Sequence, residues 1–329
     1  MDPQLFQKLH AEGLISDESL QKIRATEDSR LFSLHWELKT LLYLGVLLLS
    51  GGLGILIYKN IDTIGHQAII TFIALVAAGC FYYCIRQKSP FSVHKVTAPN
   101  PFFDYILLLG CLSFVSFIGY LQFQYNFFGD AYGLATFTPL VVLFISAYYF
   151  DHLGVLSMAI TNLAAWAGIA ITPTRILKDN SFGDTRLVLT GLLLGATLLL
   201  AGTASEKRDF KKHFEFTYRN FGLHLFFIAG LAGLFLFERY YLPSFLLLLA
   251  CAWFLYTRAI KRSSFYFLLV IIIYMYIALS YVVIRLLSEV NSYDMGALYL
   301  GIFYFIGSAL VTVKLLMSLN RKLKTHDRL

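Results

Sequence analysis

The sequence predicts an all-α fold, a polytopic transmembrane helix bundle of about ten spans preceded by a small cytoplasmic helical hairpin. Three observations predict it. Apolar runs of about 17 to 24 residues fill most of the chain, and about 20 such residues cross the hydrocarbon core as a helix. Only 14% of the 329 residues are charged while 58% are hydrophobic, and soluble domains carry about 25% charged residues. The Lys and Arg residues between the runs fall mainly on alternate connections, the pattern that orients membrane proteins.

Residues 1–37 come first and are polar and amphipathic, so no cleavable signal peptide is expected. Leu5, Phe6 and Leu9 share a helical face, and Gly13 breaks it. Ser16 then stands in an N-cap position, followed by Asp17 and Glu18, whose carboxylates suit the positive end of a helix dipole. Leu20 and Ile23 continue the apolar stripe. This hairpin is too short to bury a core alone. It is expected to pack on its own membrane domain, on a second copy of the chain, or on a protein partner.

The membrane domain occupies residues 38–318, with spans at 38–58, 66–85, 104–125, 132–150, 153–171, 186–204, 221–237, 242–260, 264–287 and 296–318. Residues 319–329 form a basic tail. With the N-terminus inside, 21 of the 27 Lys and Arg residues fall on the inner side and six on the outer. That bias predicts a membrane protein with both termini in the cytoplasm. The connection 172–185, with Arg186 at its border, dissents by placing Arg175, Lys178 and Arg186 outside. The two-residue turn Asp151-His152 carries no Lys or Arg, so residues 132–171 read either as two full spans or as one shallow hairpin. Connection 89–103 contains Pro90, Pro99 and Pro101 and reads as an ordered cytoplasmic loop. Connection 205–220, with Lys207, Arg208, Lys211 and Lys212, is amphipathic enough to lie on the inner leaflet.

The net charge of +7 belongs to residues that flank spans. Membrane lipids, especially anionic headgroups, are therefore the expected partners, and nucleic acid is not. Tyr82-Tyr83, Tyr148-Tyr149 and Tyr240-Tyr241 stand near run ends, at the level amphipathic rings favour. Cys80, Cys84, Cys111 and Cys251 all lie within spans. Cys80 and Cys84 share one helix face, but no His or carboxylate joins them on that turn, so they read as small apolar filler. No metal site and no cofactor is expected.

The segment Leu9-His10-Ala11-Glu12-Gly13-Leu14-Ile15-Ser16-Asp17-Glu18 resembles the opening of a bacterial membrane family, the domain of unknown function numbered 2157. Tyr43-Leu44-Gly45 through Gly51-Gly52-Leu53-Gly54, followed by Asn60-Ile61-Asp62-Thr63-Ile64-Gly65, is similar to that family's first-span signature, with Ile61 where Trp is expected. The resemblance covers roughly the first 85 residues. The opening also resembles short oligomerisation modules that end in a Gly-Leu-Ile-Ser/Thr-acidic helix. Neither resemblance implies a catalytic residue.

Ionisable groups at mid-bilayer mark function because lipid makes them costly. Here Asp104, His66, Arg285 and Lys314 lie near interfaces, and His224, about one turn into its span, is the best candidate for a buried polar role. Asn162 and Trp166 are i,i+4 in the fifth span, where an Asn seeks a partner on another helix. Gly51, Gly52 and Gly54 in the first span, and Gly191 and Gly195 in the sixth, either let helices pack closely or interrupt helices around a substrate in two inverted halves. These eight residues are the candidate ligand-binding set. No catalytic residue is assigned, because no nucleophile elbow, phosphate loop or zinc-binding His pair is present. The favoured reading is a non-enzymatic interaction or assembly subunit. A transporter or channel for a small or lipidic substrate is the alternative, and a lipid-active enzyme the third.

Overall fold

In a computed structural model of the chain, the described residues are 15, 16, 19, 34–59, 65–100, 102–171, 184–262, 264–290 and 295–326. The predicted hairpin of residues 1–37 lies outside them apart from its last residues and three positions. At two of those, Ser16 Oγ accepts the amide of Ser19 at 3.3 Å, the i,i+3 bond of a capping serine.

Among the described residues all regular structure is helical. The helices are α1 (Leu34–Lys59), α2 (His66–Gln87), α3 (Phe103–Tyr125), α4 (Tyr132–Phe150), α5 (Leu153–Ile171), α6 (Thr185–Lys207), α7 (Glu215–Leu236), α8 (Tyr241–Lys261), α9 (Phe265–Val290) and α10 (Met295–His326). Each coincides with one of the ten predicted runs. Nine of them, α2 to α10, are long and apolar enough to cross a membrane, and α1 holds the shorter apolar stretch Thr40–Leu49. Residues 132–171 form two helices of 19 residues each, joined at Asp151 and His152.

Contacts divide the chain into two units, Met1–Ile69 and Ile70–Leu329. The first contains α1, on which Gly51, Gly52 and Gly54 are exposed. In the second the helices pack largely in chain order, with α6 and α7 the most intimate pair and α5 packed against both. Small residues bring α6 and α7 together. A Cβ added at Gly195 would lie 2.6 Å from the Phe226 backbone nitrogen, and one at Gly222 would lie 2.9 Å from that of Leu199. The same device seats α3 against α2, where a Cβ at Gly110 would lie 2.8 Å from Cys80 Cβ. Cys84 and Cys111 are buried and all four cysteines are free, as small packing residues are.

An apolar core joins α7, α8 and α9 around Phe227, Leu248 and Leu268. Helix α10 packs on α9, where Tyr276 pairs with Ser308 and Ser280 with Tyr304, each at 3.2 Å. Its remaining surface is apolar and exposed, as at Phe303 and Val311. In water such faces would associate; in hydrocarbon they are solvated, while every backbone polar group of the helix is satisfied internally.

Candidate functional site

The largest ion-pair networks of the second unit among the described residues lie at one end of the bundle, where the α2–α3, α4–α5, α6–α7 and α8–α9 connections meet. Its centre is Asp151. Helix α4 ends there because Asp151 takes the left-handed conformation, φ 59°, and its amide bonds back to Ala147 O. Asp is one of the few residues that adopts this conformation readily. His152 then caps α5, its Nδ1 accepting the Val155 amide at 3.0 Å. That places the imidazole proton on Nε2, 3.7 Å from an Asp104 oxygen at the head of α3.

The Asp151 carboxylate is only 3% exposed and is fully engaged. Oδ2 accepts the Val96 amide at 2.6 Å. Oδ1 is 2.8 Å from Lys211 Nζ and 2.7 Å from His213 Nε2. Lys211 is itself 1% exposed, takes a left-handed φ of 48°, and donates its amide to Val93 O at 2.9 Å. Its ammonium also lies 4.9 Å from the centre of the Phe91 ring. One carboxylate thereby ties connection 88–102 to connection 208–214 across the α4–α5 turn. A cavity of about 20 Å³ remains beside it, lined by Lys88, Phe91, Tyr149, Asp151 and Lys211 among others, room for about one water.

The sequence reading of connection 205–220, whose Lys207, Arg208 and Lys212 are exposed, is corrected at Lys211. Lys211 is buried against Asp151, and Arg219 is buried in α7, so neither faces lipid headgroups. Arg219 belongs to a second network with Glu206 at the end of α6, Glu215 at the start of α7 and Arg262 after α8. Arg262 pairs with Glu206 and, at 2.6 Å, with Glu215; Arg219 pairs with Glu215 one turn away. Burial opposes the charge of Arg262, but the two carboxylates outweigh it and hold the guanidinium above its ordinary pKa. Between the networks, the Tyr148 and Tyr218 hydroxyls meet at 2.7 Å, and Tyr148 packs edge-on against Phe214. Two carboxylates are thus balanced by two guanidiniums, and one carboxylate is held by a lysine and a histidine, which ties the connections at this end together.

A cleft of about 510 Å³ opens between α5, α6 and α7 within their apolar stretches, lined by small residues including Ala164, Gly168, Gly191 and Ala229. Of the candidate residues, Gly191 lines this cleft, where an added Cβ would lie 2.8 Å from Ala229 Cβ. Gly195, one turn on, packs against Phe226. Asn162 Oδ1 is buried in α5 with no hydrogen-bond partner among the described residues. Trp166 rests on Phe137 of α4, ring centres 5.5 Å apart. His224 serves a different interface: Nδ1 bonds to Tyr274 at 2.8 Å and Nε2 to Tyr266 at 3.2 Å, both on α9, and Tyr266 donates to Asn220. Within the second unit the candidates thus separate among the α5, α6–α7 and α7–α9 interfaces. Among the described residues no group of three or more His, Cys, Asp or Glu is placed to hold a metal ion.

Sequence reasoning missed Asp151, Lys211, His213 and the Glu206–Arg262 network. The one available signal was an Asp-His pair in the shortest connection of the chain, where a bare turn between spans has no need of charge.

No curated protein and no solved structure matches the chain. One family does, over a stretch longer than the 85 or so residues of the sequence resemblance, ending inside α5 and so including Asp151 but not Lys211 or His213. Residues 7–156 match the family described as Predicted membrane protein (DUF2157), and the N-terminal part of this multi-pass helical protein is similar to it.

Proposed function

We propose that the protein is a non-enzymatic interaction or assembly subunit of a bacterial inner membrane, with both termini in the cytoplasm. One observation carries the reading: four connections at one end of the bundle are locked by Asp151 and by the Glu206–Glu215–Arg219–Arg262 network into a single ordered surface. Asp151, Lys211, Glu206, Glu215, Arg219 and Arg262 there hold loops in place. The charge bias of the sequence puts this surface on the cytoplasmic side. The hairpin predicted for residues 1–37 needs something to pack on. Its partner is a second copy or another membrane protein.

The test is purification in mild detergent with mass spectrometry of what accompanies the protein. A stoichiometric protein or a homo-oligomer that is lost on deleting residues 1–30, while membrane insertion persists, supports the proposal. A complex that survives the deletion refutes the role of the hairpin. Reporter fusions at the two ends, both active only in the cytoplasm, test the orientation.

A second reading, transport or binding of a lipidic substrate, is favoured by the cleft between α5, α6 and α7. Its volume lies in the range of small-molecule sites and its lining is apolar. A lone protein that retains a defined lipid, and loses it in Gly191→Leu, would favour this reading over the first.

A further inference from the structure

A second groove, about 460 Å³, lies at the locked end and is lined by His94, Lys95, Asp209, Lys212, Glu215 and Phe216, among others. Two of its ionisable groups are committed elsewhere. Glu215 is held by Arg219 and Arg262, and His213 at its wall by Asp151. His94 stands 4.0 Å from an Asp209 oxygen. Lys95 and Lys212 are exposed and have no partner among the described residues. Two ammonium groups therefore stand at the rim of a concavity in which Glu215 is paired and the exposed Asp209 carboxylate has His94 at 4.0 Å.

The foot of the groove is aromatic. Phe216 is 53% exposed in the first turn of α7, with the Phe267 and Tyr266 rings of α9 at 5.4 and 6.0 Å. These positions are the ends of membrane-crossing helices, the level at which aromatic rings and lysines meet headgroups.

We propose that this groove binds an anionic phospholipid, the phosphate between Lys95 and Lys212 and the start of an acyl chain against Phe216. Charge complementarity supplies the attraction, as surface lysines do at anionic membranes. The apolar foot selects a lipid over a free anion.

The test uses the full chain in neutral detergent, with phosphatidylglycerol, phosphatidylcholine or inorganic phosphate as probes and native mass spectrometry of retained lipid as readout. The wild type should retain phosphatidylglycerol in preference to phosphatidylcholine, and inorganic phosphate should not displace it. Lys95→Gln with Lys212→Gln should lower retention roughly thirtyfold, the equivalent of two surface lysines. Lys95→Arg with Lys212→Arg should keep it, which separates loss of charge from loss of fold. Lys207→Gln with Arg208→Gln removes equal charge outside the groove and should leave retention near wild type. Unchanged retention in the Gln pair at positions 95 and 212 overturns the proposal. Equal loss in the pair at positions 207 and 208 also overturns it, since attraction is then diffuse. Displacement by inorganic phosphate overturns the lipid assignment.

Discussion

Asp151→Asn tests the lock directly. The substitution keeps the size of the side chain and, like Asp, Asn tolerates the left-handed backbone at φ 59°. It also keeps an acceptor for the Val96 amide. It removes the charge and turns the amide NH2 toward Lys211 Nζ, 2.8 Å from the native oxygen and in a side chain 1% exposed, leaving a buried cation without its counter-charge or its acceptor. Both partners are nearly inaccessible, so water and salt screen little of the loss. Removing one member of such a pair costs about 3–5 kcal/mol. Removing both should cost much less, so Asp151→Asn with Lys211→Met is expected to recover most of the stability. Unfolding of the three proteins in neutral detergent reads the cycle. Trypsin adds an independent probe, because release of the connection should speed cleavage after Lys211 and Lys212. If Asp151→Asn unfolds within about 0.5 kcal/mol of wild type, or if the double variant is no better than the single, the carboxylate does not organise this end and the argument fails.

Three further outcomes follow from the packing. Gly195→Ala places a methyl 2.6 Å from the Phe226 backbone nitrogen and should destabilise by about 1–3 kcal/mol in detergent melts; no change would mean that α6 and α7 are not closely apposed. Gly301→Ala, on a face of α10 with nothing within 4 Å, should be neutral or stabilising by up to about 1 kcal/mol, and a marked loss would point to an occupant on that face. His224→Phe removes two bonds to α9 and should cost about 1–2 kcal/mol at the roughly 0.6 kcal/mol, and at most about 1.7, found for polar contacts between membrane helices. An undisturbed melt would assign those tyrosines to other partners.

The ten helices were legible in the sequence because a span is a local property. Lipid makes any run of about 20 apolar residues helical, whatever its neighbours, so residues 66–85, 104–125 and 242–260 each proved to lie within a helix only a few residues longer. The glycines were legible as small residues but not as contacts. Gly195 meets Phe226, 31 positions on, while Gly51 on α1 is exposed, and nothing in either local sequence separates the two cases. His224 was singled out for its depth, yet its partners are tyrosines 42 and 50 residues away.

The locked end was the least legible part. In sequence, Lys211 is one of several basic residues in a loop, to be counted for topology and left in solvent. Asp151 holds a backbone amide 55 residues before it and a histidine 62 residues after it. Hydropathy, summed along the chain, by itself marked ten apolar helices, nine of which among the described residues are long and apolar enough to cross a membrane, and charge predicts which way they face, because the bilayer acts on each segment separately. Which charges meet, which of them are buried, and which lysines remain at the rim of a groove was decided only by the tertiary structure, since desolvation and pairing depend on what the folded connections bring within 3 Å of one another.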